Sequence, residues 1–195
     1  MNLFAASTVD WRRGGADVRI TQRTAFPAEP RSSLEIDTPN PARFTLKIRV
    51  PWWAAKGVAV SINGRPFAPP AKPVPSSWLA IDREWRMGDR VDLELPMTLW
   101  TQPINDDPNL RAVMYGPLVL AALGGSPRLR VNPATPVLSG DPQNPSAWLR
   151  PVEGRPLRFK AGDTEFIPLH EVTNEIYSVY LRFAPPGSFE EAAWR

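Results

Sequence analysis

The sequence predicts an all-β protein: an antiparallel β-sandwich, jelly-roll-like, with additional strands at its C-terminal end. Three observations carry this reading. Proline supplies 24 of the 195 residues, about 12% where about 5% is ordinary. Only residues 1–26, 76–95 and 169–184 run 16 residues or more without one. A proline inside a helix costs about 3 kcal/mol, so helical bundles, α-barrels and solenoids are excluded, whereas prolines at strand ends and in loops fit. Apolar and polar residues alternate with period two in several stretches. Turn pairs such as Asn63-Gly64 and Gly88-Asp89 fall between those stretches. The hydrophobic fraction, 43% with eight Trp and eight Phe, is enough for a core.

The elements follow in order. Residues 3–5 suit an edge strand. Residues 18–22 and 34–36 suit strands separated by a loop holding Pro27 and Pro30. Residues 43–50 give the clearest strand, because Phe44, Leu46, Ile48 and Val50 alternate with Arg43, Thr45, Lys47 and Arg49. Pro51 ends it, having no N–H to donate. Val58, Val60 and Ile62 alternate into Asn63-Gly64, the pair that best tolerates the positive φ of a type I′ hairpin turn. Residues 65–67 return, stopped by Pro69-Pro70. Residues 78–81 form a short strand, and residues 84–86 lead into Gly88-Asp89. Val91, Leu93 and Leu95 line one face of the next strand, which Pro96 closes. Residues 112–115 and 118–123 are apolar enough to be buried on both faces, with a kink or bulge at Gly116-Pro117.

Seven prolines fall between Pro127 and Pro156. This stretch reads as a linker or a segment wrapping another domain. Residues 157–159, 165–167 and 177–183 resume the strand pattern, and residues 185–195 read as a loose tail with short helix. The expected organisation is a sandwich over 1–123, a proline-rich segment over 124–156, and C-terminal strands and tail over 157–195.

The chemistry is narrow. Nineteen Arg and four Lys against 20 acids leave a net charge of +3, and the arginines are scattered. That is a solvated surface, with no arm for nucleic acid. No charged segment followed by a long apolar run begins the sequence, and residues 117–123, the most apolar stretch, are too few to span a bilayer, so no membrane partner is expected. Cysteine is absent, which removes disulfides, thiolate zinc sites and cysteine nucleophiles from this chain. His170 is the only histidine, so a multi-histidine metal site is excluded.

Three sets of residues remain as candidates. Asp106-Asp107, in a proline-flanked loop, could be a glycosidase carboxylate pair or bind calcium, but adjacent loop acids more often solvate a turn. His170 with Glu171 could exchange protons, although a lone His beside a strand is more often a surface residue. The tryptophans could stack on sugar rings, whose C–H faces suit an aromatic platform. Trp52, Trp78 and Trp100 are the candidate ligand-binding residues, and filling a core or an interface is the competing role. Trp52 and Trp53, adjacent on a strand, would face opposite ways.

Five segments together resemble a known family. Arg49-Val50-Pro51-Trp52-Trp53-Ala54 is similar to a strand end of glycoside hydrolase family 127, the β-L-arabinofuranosidase-like proteins. Ile62-Asn63-Gly64 resembles that family's hairpin. Arg83, Trp85, Gly88, Asp89, Val91, Leu93, Leu95, Pro96 and Met97 match a longer run in it. Residues 115–121, Tyr-Gly-Pro-Leu-Val-Leu-Ala, match another, and Pro168-Leu169 with Tyr177-Ser178-Val179-Tyr180 resemble its closing strand. The resemblance implies a parent glycoside hydrolase in which an (α/α)6 barrel carries the chemistry. There a zinc-bound cysteine is the nucleophile, glutamates assist, and β-sandwich domains follow. A chain without cysteine receives neither nucleophile nor thiolate ligands, and no catalytic residue carries over. The expectation is therefore a non-catalytic, structural sandwich that needs no cofactor. Its partner would be the barrel, in cis or in a parent protein, and the barrel would hold any zinc. A carbohydrate-binding module for a plant-type glycan, and a two-carboxylate glycosidase built on Asp106 and Asp107, are the alternatives.

Overall fold

The computed structural model describes residues 1–13, 15–70, 73–124 and 137–184. The chain divides into two units, Met1–Met97 and Thr98–Arg195, and each has its own apolar core.

The first unit contains β1 (Ser7–Arg13), β2 (Ala16–Thr24), β3 (Arg31–Asp37), β4 (Ala42–Val50), β5 (Ala59–Ile62), β6 (Arg65–Pro66), β7 (Ser77–Trp85) and β8 (Asp89–Glu94). Six of these form one antiparallel sheet in the order β1-β2-β3-β8-β5-β6, and β4 pairs with β7 as a second, two-stranded sheet. The predicted alternation of β4 holds at every position. Ala42, Phe44, Leu46, Ile48 and Val50 are buried, and the four residues between them are exposed. The register runs from Ala42 opposite Trp85 to Val50 opposite Ser77. The inward residues of both sheets make one cluster, including Val18, Ile36, Ile48, Ile81 and Val91. Each fully buried aliphatic side chain contributes about 1.5–3 kcal/mol, so the alternation itself fixes which face turns inward. Trp53, Ala54 and Leu95 form a smaller cluster with Phe4 and Phe26 packed against it.

Asn63 (φ 51°) and Gly64 (φ 77°) both adopt the positive φ expected of the hairpin between β5 and β6. The expected edge strand at residues 3–5 is absent, and the edge is β1 instead. The backbone there makes isolated bonds in place of a ladder: the Met1 carbonyl accepts from the Arg49 N–H at 3.0 Å, and the Leu3 carbonyl from the Gln22 side chain at 3.1 Å.

The second unit contains β9 (Leu99–Pro103), β10 (Leu110–Tyr115), β11 (Leu118–Leu123), β12 (Val137–Ser139), β13 (Arg150–Pro151), β14 (Phe159–Ala161), β15 (Thr164–Pro168), β16 (Tyr177–Ser178) and β17 (Tyr180–Ala184). All nine belong to one sheet. β10 organises it, pairing with β9 along one edge and dividing the other edge between β17 and β11. The strands 112–115 and 118–123, grouped from sequence with the first sandwich, thus pair within the second unit. Gly116-Pro117 is not a kink in a strand. With Tyr115 opposite Leu118 and Gly116 at φ 53°, it is a two-residue hairpin turn, glycine taking the positive φ and proline the negative one its ring imposes.

The described part of segment 124–156 also joins this unit. β12 runs parallel to β17, β13 pairs with β14, and a short 3-10 turn covers Pro145–Ala147. Gly140 lies under the Trp148 indole so closely that a Cβ there would fall 2.7 Å from the ring. The rest of the segment, 125–136, and the tail 185–195 lie outside the described residues.

Candidate functional site

The three candidate tryptophans have different surroundings. Trp100, on β9, is half-buried, and its indole N–H donates to the Gly116 carbonyl at 2.9 Å. It braces the β10–β11 hairpin. Trp52 lies in the turn just after β4, and Trp78 lies near the start of β7 on its outward face. Their exposures are 53% and 52%, so each leaves a large part of an indole facing solvent. Trp78 stands opposite Arg49, and Trp52 follows the same strand end by two residues. Trp53 and Trp85 are buried. Trp53 stacks on Phe26 at 5.7 Å, and the Trp85 N–H donates to the Phe44 carbonyl at 2.9 Å. Adjacent Trp52 and Trp53 thus divide between solvent and core.

The most enclosed carboxylate among the described buried residues is Asp89, 7% exposed. It accepts from the Asn63 side-chain amide at 2.7 Å and from the Arg86 N–H at 2.9 Å. The Arg83 guanidinium is 3.5 Å away and sits 5.1 Å from the Trp85 ring. Asn63 in turn accepts the Arg90 N–H at 2.8 Å. The Asn63–Asp89 and Asn63–Arg90 bonds join the β5–β6 hairpin to the β7–β8 turn. The sequence shows two separate turn signals, and only the β5–β8 pairing reveals that they meet.

Asp107 and Glu171 are also engaged. Asp107 pairs with Arg182 at 2.8 Å and accepts the Asn109 N–H at 3.0 Å. That backbone bond, helped by Arg182, holds its carboxyl below the ordinary carboxylate range. Its neighbour Asp106 is exposed. His170 is 3.9 Å from Glu171, whose other oxygen is taken by Arg158. A hollow of about 460 Å³ is lined by Asp10, Trp11, Arg19 and Asp37, but Arg19 already closes on Asp10 at 2.6 Å. Another, of about 490 Å³, lies over Arg23, Arg31, Ser33, Arg90 and Asp92 of the six-stranded sheet. Among the described residues, no three His, Asp or Glu side chains are grouped to hold a metal ion.

The outward face of the two-stranded sheet was not legible as a site. Its β4 side carries Arg43, Thr45, Lys47 and Arg49, and its β7 side Trp78, Ala80, Asp82 and Glu84. Arg43 is paired with Asp82 at 3.2 Å. Lys47 faces Ala80, and Arg49 faces Trp78. The signal in the sequence is the basic alternation of residues 43–49, but the opposing residues depend on a register that the sequence does not give.

Residues 1–97, the whole of the first unit, match the family model of the GH127 β-L-arabinofuranosidase middle domain. Three solved structures share the fold. One, described as a glycoside hydrolase, matches with TM-score 0.67 and 19% identity over 93% of this chain and 35% of its own. A GH127 β-L-arabinofuranosidase from Geobacillus stearothermophilus T6 matches with TM-score 0.66 and 21% identity over 93% and 33%. A GH127 β-arabinofuranosidase matches with TM-score 0.64 and 21% identity over 93% and 34%. The chain spans about a third of the length of these structures. No curated protein matches it significantly.

Proposed function

We propose, since residues 1–97 belong to the middle-domain family of the GH127 β-L-arabinofuranosidases, that this chain is a non-catalytic accessory sandwich of a glycoside hydrolase acting on arabinose-type glycans. Its partner in that reading is a catalytic (α/α)6 barrel, carried in the same polypeptide or in another. The observation that carries the reading is how the best-placed polar groups are used. Asp89, Asn63 and Arg83 tie turns together, and Asp107 closes on Arg182. Acid catalysis at a glycosidic bond needs two carboxyls facing each other across about 5–9.5 Å of open space. Zinc chemistry of the family's kind needs thiolates, and this chain has no cysteine, so its own residues do not fit that metal.

The experiment is direct. The purified 195-residue chain is incubated with an aryl β-L-arabinofuranoside and with a wider glycoside panel, and no turnover is expected. Turnover that disappears in Asp106→Ala or Asp107→Ala would overturn the proposal in favour of a two-carboxylate hydrolase.

A further inference from the structure

The outward face of the β4–β7 sheet has an uneven charge. At one end Arg43 is neutralised by Asp82, with Glu84 beside them. At the other, Lys47 and Arg49 stand on β4 with no carboxylate opposite, facing Ala80 and Trp78. The Arg49 guanidinium is steadied by the Asn2 side chain at 3.1 Å. The Arg49 N–H points away from β7, to Met1, so Arg49 and Trp78 form a non-hydrogen-bonded pair, the kind that brings side chains closest. Ala80 leaves the surface low beside the indole. Trp52 adds a second half-exposed ring at the same strand end.

The geometry points to a binding site for a uronic-acid-bearing oligosaccharide on this face. A pyranose lies with its C–H face on the Trp78 indole, where aromatic contact is favourable. Its carboxylate meets Lys47 and Arg49, each within about 5–8 Å of Trp78 across the strands, through charge-assisted hydrogen bonds. The footprint is short. Asp82 lies about 13 Å along β7 from Trp78 at roughly 3.4 Å per residue, so an anionic surface much wider than two or three sugars would meet Asp82 and Glu84. That size limit favours an oligosaccharide segment over a lipid bilayer. The site stands whether or not the chain is an accessory domain, because it uses no residue of a catalytic partner.

The test is calorimetric titration of the full chain with an oligogalacturonate and with a neutral oligogalactoside of equal length, at low and high salt. The acidic ligand is expected to bind at least about tenfold tighter, with the preference shrinking as salt screens the exposed charges. Trp78→Ala should abolish binding of both ligands. Lys47→Ala with Arg49→Ala should remove only the preference for acid, circular dichroism showing the sheet intact. Equal affinity for both ligands, no binding at millimolar sugar, or undiminished binding by folded Trp78→Ala would overturn the proposal. So would partition onto phosphatidylglycerol vesicles without glycan binding. None of these outcomes bears on the arabinofuranoside assay, so the two proposals fail separately.

Discussion

Asp89 shows how a single residue can carry the meaning of a motif. Its carboxylate is buried and accepts from Asn63 and from the Arg86 backbone. Replacing it with alanine takes the shared acceptor from both donors in a part-buried turn. Asp89→Ala is therefore expected to destabilise the first unit by about 2 kcal/mol, read as a fall in urea midpoint. Asp89→Asn, which keeps one acceptor oxygen, should lose less. A shift for Asp89→Ala no larger than that of the exposed change Arg12→Ala would show that the network is incidental. The sequence does point to Asp89, since Gly88-Asp89 is a turn signal and Gly88 takes φ 77°. What it lacks is the partner, because nothing in the spacing says that residue 63 comes to meet residue 89. Asp106 and Asp107 show the reverse. Their adjacency suggested chemistry, and Arg182, 75 positions beyond Asp107, uses one of them as a structural ion pair.

Among the elements, β4 was legible because one face is wholly apolar and the other wholly polar. β1 and β9 were not. Val9 of β1 is about half exposed, and β9 mixes half-buried Leu99 and Trp100 with buried Thr101, so neither has a clean period of two. The Gly116-Pro117 hairpin was missed because a proline beside an apolar run reads as an interruption until the pairing of Tyr115 with Leu118 is known. The two-stranded sheet has a consequence at this scale. Among the described residues β4 has one strand partner, and the Lys47 carbonyl and Arg49 N–H both turn outward to Met1. By alternation, the amides of Leu46 and Ile48 face β7, and those of Thr45 and Lys47 face the open edge. Hydrogen exchange should therefore be slow at Leu46 and Ile48 and fast at Thr45 and Lys47. Uniform protection along β4 would mean that another strand covers that edge.

For the molecule as a whole, the sequence was sufficient for the all-β class and for the likeness of residues 1–97 to the GH127 middle domain, since both rest on local pattern and on motif order. It was insufficient for the outward face of Lys47, Arg49 and Trp78, which exists only once β4 and β7 are set side by side in a register that puts Arg49 opposite Trp78. Stability against pH also belongs to this scale. Hydrogen bonding from Arg19 lowers the Asp10 carboxyl, and backbone N–H bonds lower those of Asp107 and Glu175. A depressed carboxyl stabilises the fold above its ordinary range, and that contribution is lost as pH falls through the folded value. Burial raises the Tyr115 phenol, which favours the fold while both states are protonated and is lost as pH rises through the tyrosine range. The urea midpoint should thus decline at both ends of the pH range, modestly on the acid side because those carboxylates are exposed. A midpoint that climbs on acidification would contradict the assignment. The Asn63–Asp89 clamp, finally, constrains the protein's history. Losing Asp89 leaves the exposed Asn63 amide to water, whereas losing Asn63 takes a donor from a buried carboxylate. The burden is thus unequal, and a change in the hairpin turn limits what the other turn, 26 residues along the chain, can accept.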